Sequence, residues 1–179
     1  KWLGPVSNRA TPVYSVGATT RAGDYLRRRG MSNAAAILAR DVVKRARGLL
    51  PAYIFGLRAA IAVKDKALGL DSVRGALRSS TRPLPRIYER LVNLKVDENT
   101  REIESDAEMV NALRALRMAD PGNRLWPQML GAARFQRGGW EFTDSLSQMT
   151  DAIKNGATNR MPYLLAAEAA RALGNPVKA

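Results

Sequence analysis

The sequence predicts an all-α chain of paired helices, and three observations carry that expectation. Alanine is abundant while aromatic residues make up only 6%, and alanine costs least to place in a helix and lets helices approach closely. From about Ala18 onward, apolar residues recur at helical spacing over segments of about three to four turns. Short Gly, Pro or Asn breaks separate those segments, and no stretch alternates in the manner of a strand.

The elements follow in order. Residues 1–16 contain Gly4, Pro5 and Pro12 without helical period, and are expected to form an extended arm ahead of a helical domain over residues 17–179. The first helix runs from Ala18 to Arg29 and breaks at Gly30. The second resumes at Ser32, where Ser32 and Asn33 offer side-chain oxygens to free amides, and continues to Arg47. Pro51 suits the first turn of a third helix reaching about Lys66, and a shorter fourth spans Leu70 to Ser79. The Arg82-Pro83-Leu84-Pro85 stretch stops one helix and starts the next. Further helices are expected over Pro85–Val96, Ser105–Met118, Arg124–Arg137, Trp140–Lys154 and Asn159–Leu173, making four pairs and a C-terminal helix.

Composition removes much of the usual enzyme repertoire. The chain has no Cys and no His, so disulfides, thiolate or imidazole metal sites and His general bases are excluded. No phosphate-binding loop, dinucleotide fingerprint, nucleophile elbow or paired-carboxylate motif is present. The reading is therefore non-enzymatic, with no catalytic residue, no cofactor and no metal. The acidic run Asp97-Glu98, Glu102, Glu104, Asp106 and Glu108 lacks the spacing of a calcium loop and reads as a polar connector leading into a helix start.

Charge is unevenly spread. Residues 1–95 hold 19 Lys and Arg against 5 Asp and Glu, whereas residues 96–179 hold 10 against 11, within a net charge of +13. The basic half predicts attraction to something anionic. No apolar run approaches the length of a membrane span: the longest candidate, Leu49 to Val63, is interrupted by Pro51, Gly56 and Arg58. The sequence opens at Lys1 and reads as a processed or truncated product. The expectation is a soluble part, of unassigned compartment, that could belong to a membrane complex.

The most informative stretch is Ala115 to Trp140, ALRMADPGNRLWPQMLGAARFQRGGW. Asp120-Pro121-Gly122-Asn123 ends one helix and caps the next, Gly131 and Ala133 permit close helix approach, and Gly138 permits a tight turn. Trp140 is expected to bury its ring between the two helices. This stretch resembles the tetratricopeptide repeat (TPR) at its Asp-Pro-x-Asn and Leu-Gly juncture. Residues Asp24 to Ala39, turning at Gly30, fit the same pattern. Gly30, Gly138 and Gly174 lie 108 and 36 residues apart, three periods plus six and one period plus two of the roughly 34-residue repeat. The departures are Thr143 at a position that is usually alanine, Glu98 in place of a turn glycine, and one extra residue before Asp120.

The resemblance implies a right-handed α-α superhelix, a TPR-like solenoid of about four helix pairs plus a C-terminal helix, used for protein–protein interaction within a larger assembly. It also implies a concave groove lined by the first helix of each pair. The repeat offsets bring to it Asp24, Arg27 and Arg28; Ile54, Arg58 and Ile61; Tyr88, Val92 and Lys95; and Gln128, Ala132 and Phe135. Of these, Arg27, Arg28, Arg58, Ile61, Tyr88, Lys95, Gln128 and Phe135 are the candidate partner contacts. An acidic or amphipathic segment fits, because the Arg fork donates two parallel hydrogen bonds to a carboxylate. The carboxylate-clamp pattern for chaperone tails is absent, since Asp24, Arg58, Val92 and Ala132 occupy one of its key positions. The alternative is a nucleic-acid or anionic-membrane component that uses the basic surface of Arg29, Arg40, Lys44, Arg45 and Arg47.

Overall fold

The computed structural model describes residues 12–45, 48–97 and 102–174. Among them are nine helices and no strand beyond an isolated antiparallel bridge between Val96 and Ile103. In chain order they are α1 (Pro12–Arg28), α2 (Ser32–Arg45), α3 (Leu50–Val63), α4 (Lys66–Ser79), α5 (Pro85–Lys95), α6 (Ala107–Ala119), α7 (Leu125–Arg137), α8 (Glu141–Lys154) and α9 (Met161–Ala172). The chain divides into two compact units, Lys1–Ile87 and Tyr88–Ala179, with the boundary inside α5.

Each helix ends where backbone chemistry requires it. Pro51 sits in the first turn of α3 as expected, and the Pro83–Pro85 stretch separates α4 from α5. Gly30, Gly138 and Gly174 all adopt positive φ, which a residue without Cβ reaches at little cost. Three boundaries depart from the expectation by three residues or more, the first being the start of α4 at Lys66 and not at Leu70. α1 begins at Pro12, so residues 12–16 are helical, and the rest of the expected arm lies outside the described residues. The third helix stops at Val63, because Lys64 turns left-handed (φ 55°) and Asp65 caps α4 by accepting a hydrogen bond from the Leu68 amide at 3.0 Å. A non-glycine residue in that turn hides the break from a search for Gly and Pro. The expected turn position Glu98 lies outside the described residues.

In the first unit α1 packs on α2 and α3, and α3 on α4. Their shared core holds Val16, Ala36, Ala39, Val42, Phe55 and Leu68. Small residues set the spacing: the Phe55 ring fills the space above Gly23, and the Tyr53 ring fills the space above Gly75. In the second unit α7 packs on α6, α8 and α9, and α8 on α9. Leu113, Leu130, Met149 and Ala169 are fully buried there. Gly131 brings α7 close to α8, where the Ser145 hydroxyl donates to the Gly131 carbonyl at 2.8 Å.

Candidate partner-binding site

Helix α3 presents Ile54, Arg58 and Ile61 along one stripe, because residues three and four apart share a helix face. Ile54 is half-buried, Arg58 is exposed, and Ile61 is 48% exposed, high for so apolar a side chain. Helix α1 packs on α3 and brings Asp24 to this stripe. Arg27 donates to the Asp24 carboxylate at 3.3 Å from its own helix, and Arg58 approaches the other oxygen at 4.0 Å. Two predicted cations therefore share one carboxylate. Arg28 is exposed and has no ion-pair partner among the described residues.

The predicted basic surface is partly occupied by the chain itself. Arg40 binds Asp65 at 2.6 Å, and Arg45 pairs with Asp41 one turn earlier. The Leu68 amide and then the Arg40 guanidinium hold the Asp65 carboxyl below its ordinary pKa. Arg29 is exposed and lies over the Tyr25 ring at 5.4 Å, a cation–π contact. Lys44 lines an open cleft of about 740 Å³ with Asp71 and Arg78. Arg47 lies outside the described residues.

The second unit spends its predicted contacts internally. Lys95, expected on the groove, is only 2% exposed. Its ammonium holds Asp106 at 2.5 Å, Glu108 at 3.2 Å and Glu104 at 3.6 Å. The reason is local: α5 ends at Lys95, and the bridge between Val96 and Ile103 brings Glu104, Asp106 and Glu108 beside it. Burial works against the Lys95 charge, but hydrogen bonds to Asp106 and Glu108 outweigh it and raise the pKa above 10.5. Burial likewise opposes ionisation of Asp106, yet Lys95 and the Met109 amide hold its pKa below 3.8. Val92 is also buried. Tyr88 and Ala132 are half-buried, Gln128 accepts from the Asn159 amide at 3.2 Å, and Phe135 meets Phe142 edge-on at 5.3 Å.

That aromatic pair corrects the reading of Trp140. The Gly138-Gly139 turn carries positive φ at both residues and leaves Trp140 at the cap of α8, 76% exposed. Phe142, two positions on, takes the place between the helices. Trp126, in the first turn of α7, is buried. Among the described residues no cluster of Asp and Glu could hold a metal ion, and no helix is long and apolar enough to cross a membrane.

No family model matches the sequence, and no curated protein matches it as a relative. Solved structures match in fold. YrrB, described as a TPR protein with an unusual peptide-binding site, aligns with a TM-score of 0.63 and 11% identity, covering 94% of this chain and 87% of that one. A crystal structure of MamA aligns with a TM-score of 0.60 and 14% identity over 90% of this chain and 84% of its own. A second MamA structure gives 0.58 and 14%, covering 87% and 86%. The chain has a TPR-like helical-repeat fold.

In TPR terms α1 and α2, α3 and α4, and α7 and α8 are packed helix pairs, and α9 packs against α8 as the trailing helix. Helices α4 and α6 share a device that the repeat offsets did not reveal. Asp65 caps α4 and Asp106 caps α6, and each carboxylate is also held by a cation, Arg40 or Lys95. The available signal was an acid three residues ahead of Leu68 or Met109, a common helix-start pattern.

Proposed function

We propose that this chain is a protein-binding scaffold that captures an acidic or amphipathic segment of a partner on the α1–α3 face, as a subunit of a larger assembly. The observation that carries this reading is the convergence of Arg27 and Arg58 on the single carboxylate of Asp24, beside exposed Arg28 and Ile61. A partner carboxylate would find guanidinium donors already held in place by packed helices, so little ordering cost opposes binding. Ile61 supplies an adjoining apolar contact. The peptide-binding site that names one structural neighbour supports a peptide as the class of guest.

The test is fluorescence anisotropy with a labelled acidic helical peptide, comparing the parent chain with an Arg27→Glu, Arg28→Glu, Arg58→Glu variant. All three side chains are at least partly exposed, so the variant is expected to fold, with circular dichroism as the check. Binding should fall by at least tenfold, since charged groups are replaced by like charges facing the ligand. Unchanged affinity in a folded variant overturns the assignment. A second reading draws on the same charge excess: nucleic acid in place of peptide. It predicts a log–log salt slope of about −0.9 per phosphate neutralised, far steeper than an apolar-anchored peptide gives.

A further inference from the structure

A second cleft of about 400 Å³ opens in the C-terminal unit between α6, α7 and α8. Its apolar lining is buried Leu130 and exposed Met118, with Arg114, Arg117, Arg134 and Gln148 around them. The three arginines differ in how they are satisfied. Arg117 donates to the Gln148 side-chain oxygen at 2.7 Å and to Asp151 at 2.5 Å, so its charge is met from α8. Arg134 pairs with Asp144 through one terminal nitrogen, and the residue is 4% exposed. Its Nε is buried with no hydrogen-bond partner. Arg114 is exposed and, among the described residues, has no carboxylate within ion-pair distance.

Two features therefore stand uncompensated at one place. A buried guanidinium N–H without an acceptor is costly, because a charged donor has lost water and gained nothing in return. Burial and then the nearby Arg114 charge both disfavour the protonated form of Arg134. Counting the groups at and beside the cleft, four guanidinium charges (Arg114, Arg117, Arg134 and Arg137) meet three carboxylates (Glu141, Asp144 and Asp151), leaving an excess of one positive charge. An oxyanion placed in the cleft beside Arg114 and Arg134 would supply the missing charge.

We infer that this cleft is a second partner-binding site, taking a peptide carboxylate flanked by an apolar side chain. The guanidinium pair selects the carboxylate, and the Met118–Leu130 lining takes the neighbouring side chain. The apolar lining sets this occupant apart from a free phosphate, whose whole surface is charged. The site lies on α6, α7 and α8 and shares no residue with the α1–α3 face.

The experiment follows the Arg134 Nε–H resonance of the full chain by NMR while three probes are titrated. They are acetyl-Leu-Glu-Leu-amide, the matched acetyl-Leu-Gln-Leu-amide, and inorganic phosphate. The Glu peptide should move the Arg134 resonance, and the Gln peptide and phosphate should not at equal concentration. Arg114→Gln, an exposed change, should weaken the Glu peptide about tenfold, the scale of one charge-assisted hydrogen bond. An immobile resonance, or equal response to the Gln peptide, overturns the site. Equal response to phosphate overturns the peptide assignment in favour of a simple anion pocket. The resonance reports this cleft alone, so its outcome is separate from peptide capture on α1 and α3.

Discussion

Residues 1–87 carry 17 Lys and Arg against 4 Asp and Glu, whereas residues 88–179 carry 12 of each. The division falls at the boundary between the two compact units, so the entire net charge of +13 belongs to the first. In that unit Asp24, Asp41 and Asp65 each already hold an arginine, and cations remain in excess on the surface. In the second unit Lys95, Arg117, Arg134, Arg137 and Arg171 each face an acid of the same unit. The same residue types thus do two jobs. In the first unit Arg28 stays exposed with no acid holding it among the described residues; in the second, the paired cations are part of the fold, whereas Arg114 has no ion-pair partner among the described residues.

The largest expected effects come from the glycines that space the helices, and they separate the units by how firmly the opposing side chain is held. A Cβ at Gly75 would lie 2.1 Å from a Tyr53 ring carbon. That ring is buried, and its hydroxyl accepts from the Gly48 amide at 3.2 Å, so it is fixed at both ends. Gly75→Ala should lower stability by about 3 kcal/mol through overpacking. A Cβ at Gly131 would meet the Met149 methyl at 2.8 Å, the far end of a flexible chain, with Met149 Cγ at 3.1 Å and Gln148 Cβ at 3.2 Å behind it. A shift of α8 by a few tenths of an ångström is partly offset by the gain of about 1 kcal/mol from Ala over Gly in a helix, leaving a smaller loss than at Gly75. Residue-resolved hydrogen exchange should show α3 and α4 loosened more by the first change than α7 and α8 by the second. Equal effects would mean that the Tyr53 ring yields as readily as Met149 does.

The fold was legible because its signals are local. Alanine content, helical period and the breaks at Gly30, Pro83–Pro85 and Gly138 gave nine helices in the right order. The Lys64 turn was missed because nothing in a lysine advertises a left-handed backbone. Sites were less legible because they depend on what a side chain meets across a helix pair. Arg58 and Ile61 are exposed where the repeat offsets set them, but the same counting put Lys95 on the surface. Its burial follows from the bridge between Val96 and Ile103, which no periodicity encodes. Trp140 failed in a similar way, displaced by a two-glycine turn that moves the inward position to Phe142. The arginines of the second cleft come from α6 and α7, with Arg134 seventeen residues or more from Arg117 and Arg114 in sequence, and only packing brings them together.

Lys95→Met tests the claim that second-unit cations are structural. The methionine keeps the volume of the buried stem and removes the charge. Asp106, Glu104 and Glu108 would then repel one another, although solvent reaches all three and moderates the cost. A loss of about 2 kcal/mol is expected, below the range for a fully buried pair. Arg28→Met in the first unit should cost nothing measurable, since no acid of the described chain holds it. Denaturant unfolding of the two variants decides the matter. A cost at Arg28 comparable to that at Lys95 would dissolve the contrast between the units.

The smallest effect concerns the two capping aspartates, one in each unit. Both have folded pKa values below 3.8. A lowered carboxyl stabilises the fold fully above its ordinary value, and that contribution fades as pH falls through the lower folded value. Asp65→Asn keeps an oxygen to cap α4 but loses the charge facing Arg40, so the cost at neutral pH should be about 1 kcal/mol. Below the folded pKa of Asp65 the parent is protonated as well, and the two proteins should then be equally stable. Asp106→Asn should follow the same course with less sensitivity to salt, because Lys95 is buried whereas the Arg40 side chain is 51% exposed. A cost for Asp65→Asn that persists undiminished in acid would assign the residue's contribution to cap geometry alone and leave Arg40 among the surplus cations of the first unit.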